Sequence, residues 1–475
     1  MAAAGAVSLC SARLESVRAL SGQLREARRR EVAEEGVFRD LLEILTSASR
    51  AIEQSCRDSC GLADVDTCLL LVAECFRCLR NACVQCARNQ HLLRNLGLIS
   101  TSVHLIKLLH GMQVKEELLL PGKAWDFFKA LRCSLQFLGN IAAGNGDSQN
   151  SLWKCAFPDL FLTCLPYSDR RVVAYCCMVL FTCLDPGKVG ELLHPRNFAV
   201  ALHVLRVYRE QLESEWSLLI VTDHLLQCPE LVKALYAKLS NQERVTLLEL
   251  MLVKVSEKSS VGSEELEVLE SHATFLAGCF QEQCGAVLRF AAAPQAQDQE
   301  ALVTVRLLDV LCELTSSSGQ LDRLQALPGL LEAAVDTLRL THLAGKQAVN
   351  VFTATHAVTG QEEVSHPAVG FKSHLIRLIG NLCYKNKENQ DKVYELDGIP
   401  LILDNCSIDD NNPFVNQWAV FAIRNVTEQN ERNQELIAGL EEQGLAEGSA
   451  LGSMGLEMDK REGRLILRSA RKKPS

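Results

Sequence analysis

The chain has 475 residues, 48% hydrophobic and 5% aromatic, with a net charge of −9. That composition provides for a large apolar core and excludes a disordered chain, and the acidic balance argues against broad nucleic-acid binding, which needs a basic face. A single compact core stops growing near roughly 250–300 residues, so the length calls for several domains or an elongated repeat array.

Residues 1–30 read as a variable N-terminal segment. Met1 to Leu20 has no charged leader followed by a long apolar core, the order a secretory signal requires. No apolar run approaches the roughly 18 residues of a membrane span. The expectation is a cytoplasmic chain without a membrane span, in which most of the 20 cysteines serve as small buried hydrophobes.

Residues 31–255 read as a first set of helical repeats. Glu74-Cys75-Phe76-Arg77-Cys78-Leu79-Arg80-Asn81-Ala82-Cys83 is followed by Asn89-Gln90 and then by Gly97-Leu98-Ile99. Its Cys75, Cys78, Cys83 and Cys86 raise a zinc reading. Only four residues separate the two pairs, and Cys75, Cys78 and Cys86 would share one helix face, so a buried stripe is the better account. Phe137-Leu138-Gly139-Asn140 with Gln149-Asn150 repeats the motif over a slightly longer connection. Gly144-Asn145-Gly146 has no strand before it and reads as a connector rather than a phosphate loop. Val179-Leu180-Phe181-Thr182 is a copy without the Asn, beside the apolar Cys176, Cys177 and Cys183.

Residues 256–300 read as a connector with helices, entered through the polar Ser256–Ser263 break. A second set of repeats, 301–445, begins with the degenerate Val310-Leu311-Cys312-Glu313-Leu314. The pattern lapses between Leu343 and Gly370, which predicts a long surface loop. It returns most clearly over 370–445, where Leu378-Ile379-Gly380-Asn381 precedes Asn389-Gln390 and Ala422-Ile423-Arg424-Asn425 precedes Asn433-Gln434. Residues 446–475 form a basic tail: from Asp459 to Ser475 seven Lys or Arg face two acids. A solvated, flexible end is expected there.

The recurrence sets the fold class. Asn381 and Asn425 are 44 residues apart, and Asn140 and Thr182 are 42 apart, within the armadillo/HEAT range of about 40–47. The expectation is an all-α armadillo/HEAT-like helical repeat superhelix, an α-solenoid in which stacked units bury faces none could bury alone. Leu375, Ile376, Ile379, Leu382 and Cys383 follow the stripe of a helix packed on one side. The Asn-Gln pair falls near a helix start, where Asn can cap free amides.

Residues 373–443, with Glu74–Cys83, Gln136–Ile141, Glu215-Trp216 and Asn241–Leu248, resemble the ataxin-10 family over nearly the whole chain, 370–445 corresponding to its C-terminal domain. The resemblance implies an armadillo-like scaffold without enzyme activity. It implies roles in neurite outgrowth through Ras–MAP kinase signalling, neuronal survival, cytokinesis and cell division. Implied partners are G-protein beta subunits, the O-linked N-acetylglucosamine transferase, a basal-body calmodulin-binding protein and the chain itself as a homo-oligomer. The implied locations are cytoplasm, perinuclear region, midbody, centrosome and cilium basal body.

No catalytic, cofactor or metal site emerges. The 11 histidines form no HExxH motif, and there is no nucleophile elbow, Walker loop or kinase signature. The strongest functional candidates are Asn81, Asn140, Asn381 and Asn425, with Arg80 and Arg424 beside two of them. In armadillo proteins an Asn at this place on the third helix lines a concave groove, where its amide can bond an extended peptide. The same residues could instead fix repeat geometry by bonding their own neighbours. Position four before each Asn holds Arg77, Gln136, Arg377 and Phe421, not the Trp of nuclear-import receptors, so a nuclear-signal receptor is not expected. The alternative is a HEAT-like structural subunit that binds through its ends and convex face.

Overall fold

Helical periodicity persists through most of the chain because few prolines interrupt it and apolar residues return every three or four positions. The computed structural model describes residues 2–440, apart from 58–61, 116–123, 212–213, 258–262, 293–297, 317, 348–349, 354–365 and 407–408, together with 456–461 and 464–469. The first third comprises α1 (Ala2–Gln23), α2 (Ala27–Glu31), α3 (Glu35–Arg57), α4 (Leu62–Cys83), α5 (Ala87–Asn95), α6 (Leu98–Lys115), α7 (Ala124–Ala142), α8 (Gly146–Ala156) and α9 (Asp159–Cys164). The middle comprises α10 (Arg170–Cys183), α11 (Pro186–Glu191), α12 (Phe198–Glu210), α13 (Glu215–Asp223), α14 (Pro229–Lys238), α15 (Asn241–Ser256), α16 (Ser263–Gln283) and α17 (Arg289–Ala292). The last part comprises α18 (Gln299–Leu314), α19 (Ser318–Gln325), α20 (Leu330–Gln347), α21 (Phe371–Leu382), α22 (Lys387–Glu395), α23 (Gly398–Asp404), α24 (Val415–Thr427) and α25 (Glu431–Gly439).

One row of helices runs the length of the array. In it α1, α4, α7, α10, α13, α15, α18, α21 and α24 each pack on the next, and most of the remaining helices pack against that row or against one another. This is the expected all-α solenoid. Its core is continuous from Val17 to Val426, with Phe76, Phe137, Phe161, Phe280 and Phe371 essentially buried. Each such side chain contributes about 1.5–3 kcal/mol by leaving water. Close stacking depends on small residues where rows meet. A Cβ on Gly380 would lie 3.0 Å from the Ala422 Cα and from the Phe421 ring, so α24 closes onto α21 because Gly380 has none. Among the described residues no single helix is long and apolar enough to cross a membrane.

The cysteine stripe is core. Cys75, Cys78 and Cys83 lie in α4 and are fully buried, whereas Cys86 falls beyond that helix, just before α5. Burial pushes the Cys78 thiol up to about 12, and its sulfur donates to the Val17 carbonyl at 3.1 Å. Thiols placed in this way pack as small apolar side chains inside the α4 stack.

Three expectations need correction. The helical pattern does not lapse at Leu343, because α20 runs to Gln347. Past it, Val351 and Phe352 are buried, with Phe352 against Phe371 at 6.0 Å between centroids. Of the loop expected there, 354–365 lies outside the described residues. The fixed part is tied down by a buried polar knot. Lys372 Nζ donates to Thr353 Oγ1 at 2.9 Å and Asn405 Oδ1 at 3.2 Å and pairs with Asp409 at 3.3 Å. Asn411 and Asn412 donate to the Asn350 and Phe352 carbonyls. Secondly, the basic tail contains an antiparallel hairpin, β1 (Leu456–Arg461) and β2 (Arg464–Ser469), with Met458 opposite Leu467. Alternation of Leu456, Glu457, Met458 and Asp459 suits a strand, a short run easily missed beside long helical periodicities. Thirdly, the Asn of the Asn-Gln pair is not the helix cap. Asn386 and Asn430 cap α22 and α25, accepting from the Asn389 and Asn433 amides at 2.9 and 3.3 Å.

Candidate functional site

The ladder asparagines sit at the C-terminal ends of row helices, where main-chain carbonyls lack intrahelical partners. Each amide is donated across to the preceding repeat. Asn140 Nδ2 bonds the Arg80 carbonyl at 3.1 Å, and Asn425 Nδ2 bonds the Gly380 carbonyl at 2.9 Å. The accepting residue thus directly precedes the previous ladder Asn. Asn81 Nδ2 reaches the Ser21 carbonyl at 3.0 Å, which makes Gly22 the corresponding position in α1. Asn381 Nδ2 bonds the Thr315 hydroxyl at 2.9 Å, at the end of α18. Asn81, Asn381 and Asn425 are buried and Asn140 is half-buried.

The sequence candidates therefore form two groups. Asn81, Asn140 and Arg80 come together at the N-terminal end, where Arg80 donates to Asn81 Oδ1 at 3.1–3.2 Å and also to Gln136. Asn381 and Asn425 meet at the C-terminal end, with Arg424 exposed beside them. The groups lie on the same row but not at one site.

The Asn-Gln pair does more than sequence reasoning assigned to it. Asn89 Nδ2 donates to the Ala82 and Arg30 carbonyls, Asn389 Nδ2 to those of Leu382 and Gln325, and Asn433 Nδ2 to those of Val426 and Gln390, all at 2.9–3.0 Å. One amide thus closes its own repeat and holds the one before it. The Gln points the other way. Gln90 Nε2 donates to the Asn140 and Ala143 carbonyls at 2.8 and 2.9 Å, and Gln390 Nε2 to those of Asn425 and Glu428 at 2.9 and 3.3 Å. The pair was visible in the sequence as a repeated dipeptide; its backward and forward reach was not, because both bonds join residues far apart in the chain. Gln434, in the last described repeat, instead bonds Thr427 of its own repeat at 2.8 Å.

On the solvent side of the row, the two ends differ in charge. At the N-terminal end Glu74, 2% exposed, is approached by Arg18 Nε at 3.9 Å, Arg77 Nη1 at 3.2 Å and Lys129 Nζ at 3.3 Å. Towards the C-terminus two of the row cations have acids of their own, while Arg424 is exposed. Arg306 lies 3.1 Å from Glu249 and 3.0 Å from Asp309, and Arg377 lies 2.9 Å from Glu313 and stacks on Trp418, 4.9 Å from its centroid. His374 Nδ1 lies 2.8 Å from Asp309. The last described repeat leaves apolar surface uncovered, with Phe414 64% and Val420 69% exposed. Among the described residues no group of three or more His, Cys, Asp or Glu could hold a metal ion.

The chain is similar to known proteins over almost its whole length. A family model described as "Spinocerebellar ataxia type 10 protein domain" matches residues 371–468, the last two repeats together with the hairpin. An ataxin-10 from Xenopus tropicalis is 56% identical over 456 residues, covering 96% of this chain and 92% of its own. The ataxin-10 of Homo sapiens is 50% identical over 461 residues, covering 97% and 95% respectively. An ataxin-10 homolog from Dictyostelium discoideum is 52% identical over 89 residues, 19% of this chain and 15% of its own.

Proposed function

The chain belongs to the ataxin-10 family, and from that premise we propose that it is a non-enzymatic scaffold that binds extended segments of other proteins along the solvent face of its helix row. The family and the all-helical fold point to a non-catalytic protein. The observation that carries the reading is the set of cross-repeat amide bonds at the two ends of the row, Asn81 to Ser21 and Asn140 to Arg80, then Asn381 to Thr315 and Asn425 to Gly380, which fix the register of α1, α4 and α7 and of α18, α21 and α24. A rigid row with regularly spaced side chains suits recognition of an extended chain. In this reading Asn81, Asn140, Asn381 and Asn425 set the rung spacing. Arg80, Arg424 and the residues four before each Asn meet the partner, together with whatever acceptor capacity the Asn carbonyls retain.

By family likeness the work served is neurite outgrowth and neuronal survival through Ras–MAP kinase signalling, cytokinesis, and centrosome and basal-body functions. The partners are a G-protein beta subunit, the O-linked N-acetylglucosamine transferase and a basal-body calmodulin-binding protein. The locations are cytoplasm, perinuclear region, midbody, centrosome and basal body. The test is calorimetric titration of the full chain with purified G-protein beta–gamma dimer and with the transferase. Saturable binding to at least one, abolished by Arg77→Glu with Phe421→Glu, is expected; binding that survives those changes rules out the row face.

A second reading rests on the uncovered end. Phe414 and Val420 give a second copy an apolar seat, as expected of a repeat array without a polar cap. Light scattering should show oligomers that dissociate on Phe414→Glu with Val420→Glu. Unchanged mass would place self-association elsewhere.

A further inference from the structure

We propose that the N-terminal stretch of the row, across α1, α4 and α7, selects acidic extended peptides; the inference rests on the row-face reading above and names the partner chemistry of its N-terminal end. Three cations, Arg18, Arg77 and Lys129, converge on the single buried carboxylate of Glu74. One carboxylate cannot neutralise three positive groups. Arg80, beside them, bonds only to the neutral Asn81 and Gln136 among its recorded partners. Arg132 is matched by Asp169; the same three helices also carry the exposed Arg13 and Glu15 and the half-buried Asp66 and Asp126. Around Glu74 itself Arg18, Arg77 and Lys129 outnumber the carboxylate, in a chain whose overall charge is −9.

The cationic heads are accessible. The side chains of Arg18, Arg77 and Lys129 are 51%, 30% and 23% exposed, while Glu74 lies beneath them. A guanidinium has five donors in a fixed fork, so a bond to an internal carboxylate leaves others for a ligand carboxylate. Arg18 and Arg77 occupy equivalent rungs, four residues before Gly22 and Asn81. Beside them Trp125 is 62% exposed, with Arg132 5.6 Å from its ring centroid, an apolar platform at the edge of the charged strip. The C-terminal stretch has a smaller excess: Arg306 and Arg377 each have acids of their own, which leaves Arg424 as the exposed cation of α24.

Spacing narrows the ligand. Packed helices lie about 8–10 Å apart, and an extended chain advances about 3.3 Å per residue, so carboxylates at every third residue would meet successive rungs. Glu74 acts as a resident counter-charge that competes with the ligand for the same cations.

The test uses the full chain and three fluorescein-labelled 16-residue peptides carrying Glu, Gln or Lys at every third position with Ser and Ala between. Fluorescence anisotropy at low salt should show the Glu peptide binding at least about tenfold more tightly than the Gln peptide, with the gap closing as ionic strength approaches about 0.5 M. Arg18→Glu should weaken the Glu peptide about fivefold or more. Glu74→Gln, which removes the internal competitor, should tighten it. Arg80→Gln repeats the loss without disturbing the Glu74 cluster, and thermal unfolding by circular dichroism checks that each variant folds. Equal binding of the Glu and Gln peptides overturns the acidic selection and leaves the row face standing. Weaker binding by Glu74→Gln also overturns it, and no binding of any peptide removes both.

Discussion

From α21 to α25 the polar links between repeats are mostly neutral amides. Asn425 donates to Gly380, Gln390 to Asn425 and Asn433 to Gln390, each to a main-chain carbonyl. Between α12 and α18 charges do the corresponding work. Arg206 pairs with Glu243 at 2.8 Å, Arg306 with Glu249 at 3.1 Å and Lys254 with Glu265 at 3.7 Å, and the buried His272 takes the Leu226 carbonyl at 2.7 Å. Both regions stack the same row, but amides neither titrate nor suffer screening, whereas ionic links do both. One end of the array should therefore hold its shape across pH and salt while the middle responds to them.

The sharpest way to break the amide-clamped end is steric. Gly380→Val, placing atoms where Ala422 and Phe421 already sit, should destabilise the C-terminal repeats by about 3 kcal/mol in urea unfolding. Next comes Asn433→Ala, which leaves the Val426 and Gln390 carbonyls without their donor and should cost about 2 kcal/mol. Gln434→Ala, whose only recorded bond is to its own repeat, should cost under about 0.5 kcal/mol. If those two variants were equal, the clamp would not depend on reaching another repeat.

The charged middle should differ in kind. Burial would raise the Glu243 carboxyl, but bonds from Arg206 and from the Ser240 amide and hydroxyl outweigh it and hold it near about 2. A depressed carboxylate contributes stability above its unfolded value, about 4.5, and loses it as pH falls towards about 2. Glu243→Gln should therefore cost about 1–2 kcal/mol at pH 7, allowing for the half-exposed Arg206, with the difference vanishing near pH 2 in matched denaturant curves. His272 is displaced downwards, first by burial, against the opposing pull of the Leu226 carbonyl. The unfolded chain then takes up that proton before the folded one does. Stability is full above about 6.5, the ordinary histidine value, and declines below it. Hydrogen exchange at pH 7 and pH 5 should show α14 and α16 losing protection before α21 and α24; loss of α21 first would reverse the comparison.

The array itself was legible because stacking imposes a period, and Asn381 with Asn425 displayed it without gaps. The ladder positions were legible too, since one residue type recurred at one place in a helix. What each amide bonds was not, because Asn425 and Gly380 are 45 residues apart. The Lys372 knot escaped notice because it is assembled from three separate stretches, none with a repeat of its own. The charge difference between the two ends of the row was equally hidden. Arg18, Arg77 and Lys129 are ordinary surface residues in sequence and become a cluster only when α1, α4 and α7 stack around Glu74.

Gln434 folds back on its own repeat, and Val420 lies bare where another helix could rest. The chain thus ends its described solenoid with the docking parts of an internal unit, so it is extensible. A duplicate of residues 396–439 spliced in after Gly439 should find a ready-made berth. It would turn Gln434 outward to a new neighbour and lengthen the rod by one rung without redesign of what comes before.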